Sequence, residues 1–540
     1  MQTCSPAYHK AVYDTIRQSK AKITFEILDD DAYEKNKIIV TTNESISRQD
    51  QLLNKVRETS ISYATYEHDF FKLDGTFAIS DDEDDTHEVG WISESICDTN
   101  GMFEINPVAT IEFSEFINTP GFTIIFDKRL NEYADTFSVK GYRSGEMIYR
   151  QDITGNKNTS VIIDESIEGA NKIQLEIVKW AKPYRRSRVV EIDIGLVKEY
   201  TDDEIVNFNI IEELDTINSA LAANEMTFTI NNSDKQFNIL NPNGIYRFIN
   251  YRQAFYASLG IMLADEQIEY VSIGKYYLTD WKSDEGALTA TFTGRDILNS
   301  IENVELSSAK TATINLYSLT ESILKQMSVK SYQIDDKLKE INVNSDVSDM
   351  ECKELLQCIG VVAKAVIYQD RDGILQIKCL ETLKEGVSYI NHAGQSYSGL
   401  IYTELNSEYR YKTISLDNQY KIPQVSLDSI VNRIEITYRV NGVDTLFILT
   451  SGVKEGKKLE VTNPLIYSEE QAKEVAEWLM QELGARYIYE CDWRQNPALE
   501  CGDNVLIEDG FKAMKQSRIV KQEFEYTGYL RGRTTAKGGV

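Results

Sequence analysis

The chain has 540 residues, too many for one hydrophobic core, so we expect several domains of roughly 100–150 residues each. The formal net charge of −28 argues against a surface that neutralises phosphates, and so against nucleic-acid binding or adsorption to anionic membranes. It fits either high solubility or an acidic surface past which DNA slides without adhering.

Sequence features also bear on compartment and redox state. Seven scattered cysteines without a C-x-x-C pair predict reduced, buried thiols instead of disulfides or a zinc site. The N-terminus lacks a secretory signal, and no uncharged apolar run approaches the ~20 residues of a membrane span. We therefore expect a soluble protein that is made in a cytoplasm.

The first 89 residues predict a helix and a strand ahead of an acidic loop. Residues 6–18 predict a short helix, and Lys22–Leu28 alternates apolar and polar residues, the period of a half-buried strand. The run Asp81-Asp-Glu-Asp-Asp lacks the spaced ligands and central glycine of an EF-hand. We expect a solvated loop there, with calcium binding as the alternative.

Residues 90–198 predict an inserted β-sandwich, because short, mostly alternating segments are separated by turn-rich loops. These segments are Ala109–Phe113, Phe122–Phe126, Thr136–Tyr142, Met147–Asp152, Ser160–Ile163, Lys172–Val178 and Arg188–Ile194. The stretch Trp180-Ala-Lys-Pro-Tyr-Arg-Arg-Ser-Arg-Val-Val-Glu-Ile-Asp-Ile-Gly resembles the closing strand of galactose-binding-like, discoidin-type jelly rolls. The resemblance implies a jelly-roll topology.

The same resemblance implies a site for sugars, since relatives often bind them through loops at one end of the sandwich. Trp180 and Tyr184 would offer an aromatic face, and Arg185 and Arg186 would donate hydrogen bonds to a host cell-surface glycan. The alternative is that these four side chains pack and cap their own sandwich.

Residues 199–302 predict short antiparallel strands. The strand patterns are Val206–Leu214, Met226–Asn231, Gln267–Ile273, Gly274–Thr279 and Ala287–Phe292. The loop Ser283-Asp-Glu-Gly286 predicts a hairpin, and helical spacing begins at Ile297. We expect residues 1–89 and 199–302 to form one discontinuous domain, because an insertion is tolerated where the two joining ends meet at the surface.

Residues 303–400 predict a small α+β module. Helical spacing covers Leu316–Met327, and the capping box Ser348-Asp-Met-Glu351 opens a second helix. Asp370-Arg-Asp-Gly373 then predicts a turn into a strand, Ile374–Leu380.

Residues 401–540 predict one helix followed by strands. A second capping box, Ser468-Glu-Glu-Gln471, opens the helix, and Gly484 ends it. The strands that follow are Arg486–Asp492, Asp503–Ile507 and Gln516–Tyr526.

Motifs in three parts of the chain resemble baseplate hub and tail tip proteins of bacteriophages. They are Asp370-Arg-Asp-Gly373 together with Phe228-Thr-Ile-Asn-Asn, Ile273-Gly-Lys-Tyr-Tyr-Leu, Thr291-Phe-Thr-Gly-Arg-Asp-Ile-Leu, Asp492-Trp-Arg-Gln-Asn-Pro-Ala-Leu-Glu-Cys-Gly-Asp-Asn-Val and Val520-Lys-Gln-Glu-Phe-Glu-Tyr-Thr-Gly-Tyr-Leu-Arg-Gly. The resemblance implies a mainly β chain with α+β parts. Its domains would be two hub-type β-barrels (1–89 plus 199–302, and 401–540), the module at 303–400 and the inserted jelly roll at 90–198.

The resemblance also implies an assembly. Family members form a homotrimer that joins the sixfold tail tube to a threefold tip and lets DNA pass. The expected partners are the distal tail protein ring, the tape-measure protein and tail tip or receptor-binding proteins, all within the virion.

The sequence contains no catalytic or metal-binding motif. Its four histidines are dispersed, and H-E-x-x-H, G-x-S-x-G and P-loop patterns are missing. The chain ends at Arg531–Val540, where longer relatives carry a peptidoglycan-cleaving domain. We therefore expect a structural hub that is not an enzyme and has no cofactor. The alternatives are a carbohydrate-binding host-adsorption protein acting through residues 90–198 and a cell-wall hydrolase.

Overall fold

A computed structural model describes the chain outside residues 30, 31, 34, 45, 47, 80–86, 223, 243, 301–303, 307–313, 344–349, 380–387, 391–395, 399–410, 441, 539 and 540. The chain forms two compact units. Unit 1 consists of Met1–Ile23, Tyr200–Asn238 and Ala254–Val540, and unit 2 of Thr24–Glu199 and Ile239–Gln253.

The helices are short, and strands make up most of the regular structure. The helices are α1 (Pro6–Ala11), α2 (Ile297–Ser300), α3 (Leu316–Gln326), α4 (Cys352–Ala363) and α5 (Glu469–Glu482). The strands are β1 (Ser19–Leu28), β2 (Ile38–Thr42), β3 (Ser62–Tyr63), β4 (Phe77–Ala78), β5 (Trp91–Ile96), β6 (Val108–Thr119), β7 (Phe122–Phe126), β8 (Ala134–Arg143), β9 (Glu146–Ile153), β10 (Ser160–Ile163), β11 (Ile167–Trp180), β12 (Arg186–Thr201), β13 (Ile205–Glu213), β14 (Glu225–Asn231), β15 (Ala254–Met262), β16 (Ile268–Asp284), β17 (Thr289–Arg295), β18 (Ile314–Asn315), β19 (Tyr332–Ile334), β20 (Asn342–Val343), β21 (Ala365–Gln369), β22 (Leu375–Cys379), β23 (Ser388–Ile390), β24 (Ser396–Ser398), β25 (Thr413–Ile414), β26 (Gln424–Leu427), β27 (Val431–Val440), β28 (Val443–Thr450), β29 (Lys457–Thr462), β30 (Tyr487–Trp493), β31 (Asn504–Glu508), β32 (Met514–Tyr526) and β33 (Leu530–Gly538).

Unit 2 contains two antiparallel sheets around one core. One sheet has the order β2-β6-β11-β8-β9, and in the other β7 lies between β10 and β12, with β5 pairing to β12. Apolar side chains of both sheets share the core, among them Ile111, Ile177, Ile124 and Ile192. All seven strands predicted here from the alternating pattern are present. The jelly-roll topology itself stays a prediction.

Residues 24–89 belong to unit 2, whereas the sequence placed them with residues 199–302. Strand β2 pairs with β6, with Ile38 opposite Phe113 and Thr42 opposite Ala109. This pairing joins residues far apart in the chain, so no local sequence pattern predicts it. The predicted boundary at residue 90 therefore differs from the boundary of the compact unit. The acidic run at 81–85 lies outside the described residues.

Unit 1 contains a long antiparallel run of strands in the order β15-β16-β17-β14-β13-β32-β33-β30-β26. The predicted hairpin joins β16 to β17, but its turn lies at Glu285–Leu288, because Ser283 and Asp284 pair with β17. The two predicted segments at 267–273 and 274–279 form the single strand β16. Gly274 (φ +152°) lies at a register shift against β15 and lets the strand continue where the sequence pattern predicted a break.

Eight of the nine strands in this run, all except β15, form two sets of four strands with the same topology. Set A has the order β16-β17-β14-β13, and set B has the order β32-β33-β30-β26. In each set the last strand in this order comes first in the chain, and a hairpin joins the first two. The N-terminal half of each long strand pairs with one extra strand, β15 in set A and β31 in set B.

A β-bulge at the same place in both long strands fixes how the sets correspond. In set A, Leu278 pairs with Gly294, and the register then shifts at Thr279. In set B, Ile519 pairs with Ala536, and the register shifts at Val520. Alignment of the bulges makes Leu278 equivalent to Ile519, and the remaining positions of the two sets follow from the strand registers.

The helices and smaller sheets of unit 1 share a second core. It includes Leu319 of α3, Ile359 of α4, Ile377 of β22, Ile436 of β27 and Leu479 of α5. The predicted α+β module at 303–400 therefore shares its interior with residues that the sequence placed in the last domain. The predicted helices are present, although the one predicted over residues 6–18 ends at Ala11. Ser468 caps α5 by accepting a hydrogen bond from the Gln471 amide at 3.2 Å. Ser348 of the other capping box lies outside the described residues, and α4 begins after Glu351, whose side chain makes no capping hydrogen bond.

The chain is thus mainly β, with few helices and several antiparallel sheets, as the sequence predicts. Closure of sets A and B into barrels stays a prediction.

Candidate functional sites

The four residues predicted to bind a glycan lie at the junction of β11 and β12, but Trp180 is in the core. Its side chain is 0% exposed, its Nε1 donates to Glu132 Oε2 at 3.2 Å, and its ring meets Phe126 edge-on at 5.8 Å. Neither face of the indole is available to a sugar. Trp180 therefore packs in the core of the sandwich, which is the alternative that the sequence left open for it.

The two arginines are held by the backbone of unit 2. Arg185 donates from Nη1 to the His68 carbonyl at 2.6 Å, and its guanidinium lies 5.2 Å from the centre of the Phe70 ring. Arg186 donates from Nη1 to the carbonyl oxygens of Ser93 and Glu94. Both side chains therefore fix loops around the junction, which limits their capacity to bind a ligand.

Tyr184 is the predicted residue that does present an aromatic ring to solvent, with 48% of its surface exposed. Its backbone is left-handed (φ +57°), an uncommon conformation for an aromatic residue. The His68 ring lies 6.3 Å away and its side chain is 76% exposed, while Tyr66, two residues earlier, is 98% exposed. We call Tyr66, His68 and Tyr184 the aromatic end of unit 2. Tyr66 and His68 were not predicted, because their loop lies outside the predicted sandwich.

A buried ion network holds the loop that carries the aromatic end. Glu67, 7% exposed, accepts hydrogen bonds from the Arg186 amide at 2.8 Å and from the Arg188 guanidinium. Arg188 also reaches Glu132 Oε2 at 3.3 Å, and both residues are 2% exposed. These ion pairs fix the loop to β12, because moving the loop away would leave a buried charge without its partner.

A second buried cluster in unit 2 gathers three carboxyl groups around one arginine. Arg57 donates to both carboxylate oxygens of Asp193, at 2.7 and 2.8 Å, and to Glu26. Glu191, on the same face of β12 as Asp193, is 0% exposed. Burial, reinforced by the negative charge of Asp193, raises the pKa of Glu191 to about 9, and Arg57 offsets only part of this rise.

The raised pKa of Glu191 predicts a pH-dependent stability. The folded protein keeps a proton that the unfolded chain releases above the ordinary value of 4.5, so this stabilisation is complete in acid and is lost as pH rises towards about 9. Between about pH 5 and pH 8 the free energy of unfolding should therefore fall steadily as the pH rises. Denaturant unfolding of Glu191→Gln should therefore give a flatter pH profile than the natural chain. The exposed Glu146→Gln is the control, and parallel profiles for Glu191→Gln and the natural chain would contradict the prediction.

In unit 1 the turn Asp370-Arg-Asp-Gly373 places a buried arginine at the meeting point of sets A and B. The turn is shaped by Gly373 (φ +84°) and by the Asp370 side chain, which accepts from the Ile374 amide at 2.9 Å. Arg371, 6% exposed, donates to both carboxylate oxygens of Glu212 on β13, at 2.7 and 2.8 Å.

The remaining donors of Arg371 bind carbonyl oxygens of the loop between β30 and β31. Nη2 reaches the Leu499 carbonyl at 2.7 Å, and Nη1 binds that of Pro497. Gln522 of β32 also donates to Glu212, at 3.3 Å. One guanidinium thus ties set A, the α+β core and set B together, and this ion pair is well satisfied by hydrogen bonds.

A cavity of about 150 Å³ lies beside this ion pair. Glu500 and Asp503 contribute to its wall, and the Met1 amino group lies 3.0 and 2.7 Å from their carboxylates. Among the described residues no group of His, Cys, Asp or Glu is arranged to hold a metal ion. The cavity is small, and Arg371, Glu212, Glu500 and Asp503 in its wall are paired with one another or with the Met1 amino group, so we assign no ligand to it.

Strand β26 ends the run of unit 1 and exposes apolar side chains. Val425 and Leu427 are 48% and 59% exposed, and they lie on the face of the strand that points to the same side as the buried Tyr489 of β30. An edge strand of this kind is a template for pairing with another chain.

All seven cysteines are free among the residues described, and burial raises the pKa values of Cys358 and Cys491 to about 12. Within the described part of the chain, no helix is long and apolar enough to cross a membrane.

No protein-family model and no curated protein matches the chain. Solved structures of tail proteins are similar to it. The 43 kDa tail protein of prophage MuSo2 from Shewanella oneidensis has 14% identity over 63% of this chain and 95% of that chain, with a TM-score of 0.40. A tail protein from Neisseria meningitidis has 12% identity over 63% and 93%, with a TM-score of 0.39. Prophage tail protein gp18 from Listeria monocytogenes has 12% identity over 64% and 92%, with a TM-score of 0.38. Because every TM-score is low, we base no functional conclusion on these likenesses.

Proposed function

We propose that this protein is the structural hub of a phage or phage-derived tail, a trimeric adaptor between a sixfold tail tube and a threefold tip. The observation that supports it is the repeat of strand sets A and B within one chain. Three copies of a chain with two similar sets supply six similar sets, which meets the geometric requirement of an adaptor between threefold and sixfold rings.

Two further features fit this role. The buried ion pair of Arg371 and Glu212 fixes set A against set B, so that the repeat behaves as one rigid element. The formal charge of −28 disfavours adhesion of DNA phosphates, which suits a passage for DNA during genome ejection. The partners of the hub would be the distal tail protein ring, the tape-measure protein and tail tip or receptor-binding proteins.

Symmetry is the test of this proposal. Cryo-electron microscopy of tail particles that contain the chain should find three copies, at the level where sixfold density changes to threefold. A particle with one copy or with six would contradict the proposal.

The aromatic end of unit 2 supports a second candidate function, attachment to a host cell-surface glycan. Tyr184, His68 and Tyr66 combine exposed rings with polar atoms, and sugars bind to such surfaces. A glycan array with the full chain tests it: binding should weaken in Tyr184→Ala and persist in Tyr251→Ala, a control at another tyrosine of unit 2 that is 73% exposed. If no glycan binds, unit 2 is a spacer or docking module.

A further inference from the structure

We infer that β26 of one copy pairs antiparallel with the Asp280–Asp284 end of β16 in a second copy of this chain. The inference rests on the proposed trimer and identifies the strands that join its copies. It follows from the correspondence of sets A and B, from the exposure of β26 and from the pairing of β16.

The correspondence places one exposed residue in a row of buried ones. Across set A, successive paired positions are Leu278, Gly294, Met226 and Ile210. Across set B, the equivalent positions are Ile519, Ala536, Tyr489 and Val425. Every other residue of these rows is buried, but Val425 is 48% exposed. Its equivalent Ile210 is buried where β32 pairs with β13. Val425 would be buried in the same way if a strand paired with the second side of β26.

The comparison of β32 with β16 indicates which strand pairs with β26. In set B the segment Lys521–Tyr526 of β32 pairs with β33 on one side and with β13 on the other. The equivalent segment of set A, Asp280–Asp284 of β16, pairs with β17. Among the described residues no strand pairs with its second side. Strand β26 is equivalent to β13, and the end of β16 is equivalent to the end of β32. β13 and β32 pair with each other within the chain, and we infer that β26 and the end of β16 pair in the same way between two copies.

The register of the existing joint gives the register of the new one. Within the chain, Ile210 lies opposite Phe524 and Glu212 opposite Gln522. The equivalent pairs place Val425 opposite Ser283 and Leu427 opposite Trp281 of a second copy. Trp281 is half-buried and stacks on Phe292 at 6.2 Å, so its ring is held in place to receive the leucine.

The side chains of this joint are compatible. Gln424 and Ser426, the remaining residues of β26, would lie opposite Asp284 and Lys282, so none of the four pairs brings like charges together. Pairing would also bury Leu427, which is 59% exposed in the single chain. A neighbouring copy thus supplies both the backbone partner and the apolar cover that β26 lacks.

Disulfide trapping between two singly substituted chains tests the register. A chain with Leu427→Cys is mixed with a chain with Trp281→Cys under mild oxidation, and a linked dimer should form only in the mixture, because opposed residues on paired strands have Cβ atoms close enough for a disulfide. The matched control replaces Leu427→Cys with Leu446→Cys, on the edge strand β28 and 53% exposed. Equal linking in the control would overturn the inference.

Native mass spectrometry separates this inference from the proposed function. Leu427→Lys should shift the full chain from trimer to monomer, whereas Leu446→Lys should leave the trimer unchanged. A trimer that persists in Leu427→Lys and shows no disulfide in the mixture overturns the joint but leaves the hub proposal standing. A natural chain that stays monomeric at its highest soluble concentration, without a disulfide, overturns the joint. Tail particles without threefold symmetry overturn the hub.

Discussion

Replacing Arg371 by alanine is expected to lower the free energy of unfolding by roughly 3–5 kcal/mol, because it leaves the buried carboxylate of Glu212 without its partner. The carbonyl oxygens of Pro497 and Leu499 lose their donor in the same step. Denaturant unfolding measures the loss, and hydrogen exchange should locate it in β13 and β32. The surface pair of Arg531 and Glu525, 2.7 Å apart, supplies the control: Arg531→Ala should leave the stability close to that of the natural chain, because water already screens this pair.

A double variant separates the charge from the shape of the site. Arg371→Met combined with Glu212→Leu removes both ions and keeps apolar volume, so it should recover most of the stability that Arg371→Ala loses. If the double variant is as unstable as Arg371→Ala, the carbonyl contacts of Arg371 matter more than its ion pair. If Arg371→Ala itself is as stable as the natural chain, the description of this site as a clamp is wrong.

Replacing Trp180 by alanine is expected to destabilise unit 2 by roughly 3–5 kcal/mol, because it opens a cavity in a packed core. It also frees Glu132 Oε2 from its indole donor. Hydrogen exchange of β7 and β11 is the suitable measurement, since the substitution itself alters tryptophan fluorescence.

Tyr184→Ala is the matched control for Trp180→Ala. Because the Tyr184 side chain is 48% exposed, the change in stability should stay within about 0.5 kcal/mol. Equal stability of the two variants would contradict the buried position of Trp180. The pair also separates packing from recognition, since Tyr184→Ala alone would weaken glycan binding in a chain that remains fully folded.

The parts of the fold that follow local rules could be predicted from the sequence. Alternation located the strands of unit 2, and the cap at Ser468 located the start of α5. The hairpin between β16 and β17 could be predicted because turn residues lie between two alternating runs, although its turn, Glu285–Leu288, begins two residues later than predicted. These signals depend on neighbours in the chain, which is why one sequence contains them.

The parts that depend on distant pairing could not be predicted. Nothing in residues 38–42 indicates that they pair with β6, and so the boundary of the inserted unit differed. Sets A and B have no visible likeness in sequence, since equivalent positions hold Met226 and Tyr489, or Gly294 and Ala536. Only size and burial are shared at these positions, and the strand registers were needed to align them.

The positions of the candidate glycan-binding residues also could not be predicted from local sequence. Trp180 and Tyr184 are close in sequence and similar in chemistry, yet one is buried and the other exposed. The difference arises because Trp180 ends a strand over the core whereas Tyr184 lies in the following turn. Tyr66 and His68 join the aromatic end through Glu67, whose partner Arg188 is far away in the chain.

The two bulges have a consequence for how this sequence can change in length. In β32, Ile519 and, beyond the bulge, Gln522 and Phe524 lie on the same face; in β16 the equivalent face changes from even-numbered positions at Leu278 to odd-numbered ones at Trp281. Deletion of Val520 or Thr279 would therefore remove the bulge and restore strict alternation, so that Phe524 stays inward and Glu523 outward in the first case. A residue inserted between Gln522 and Glu523 would instead turn Phe524 outward. Residues inserted in the exposed turn Glu285–Leu288 would leave both faces as they are. Tolerated insertions in related chains should accordingly cluster at such hairpin turns, and tolerated single deletions within these two strands should fall at Thr279 and Val520.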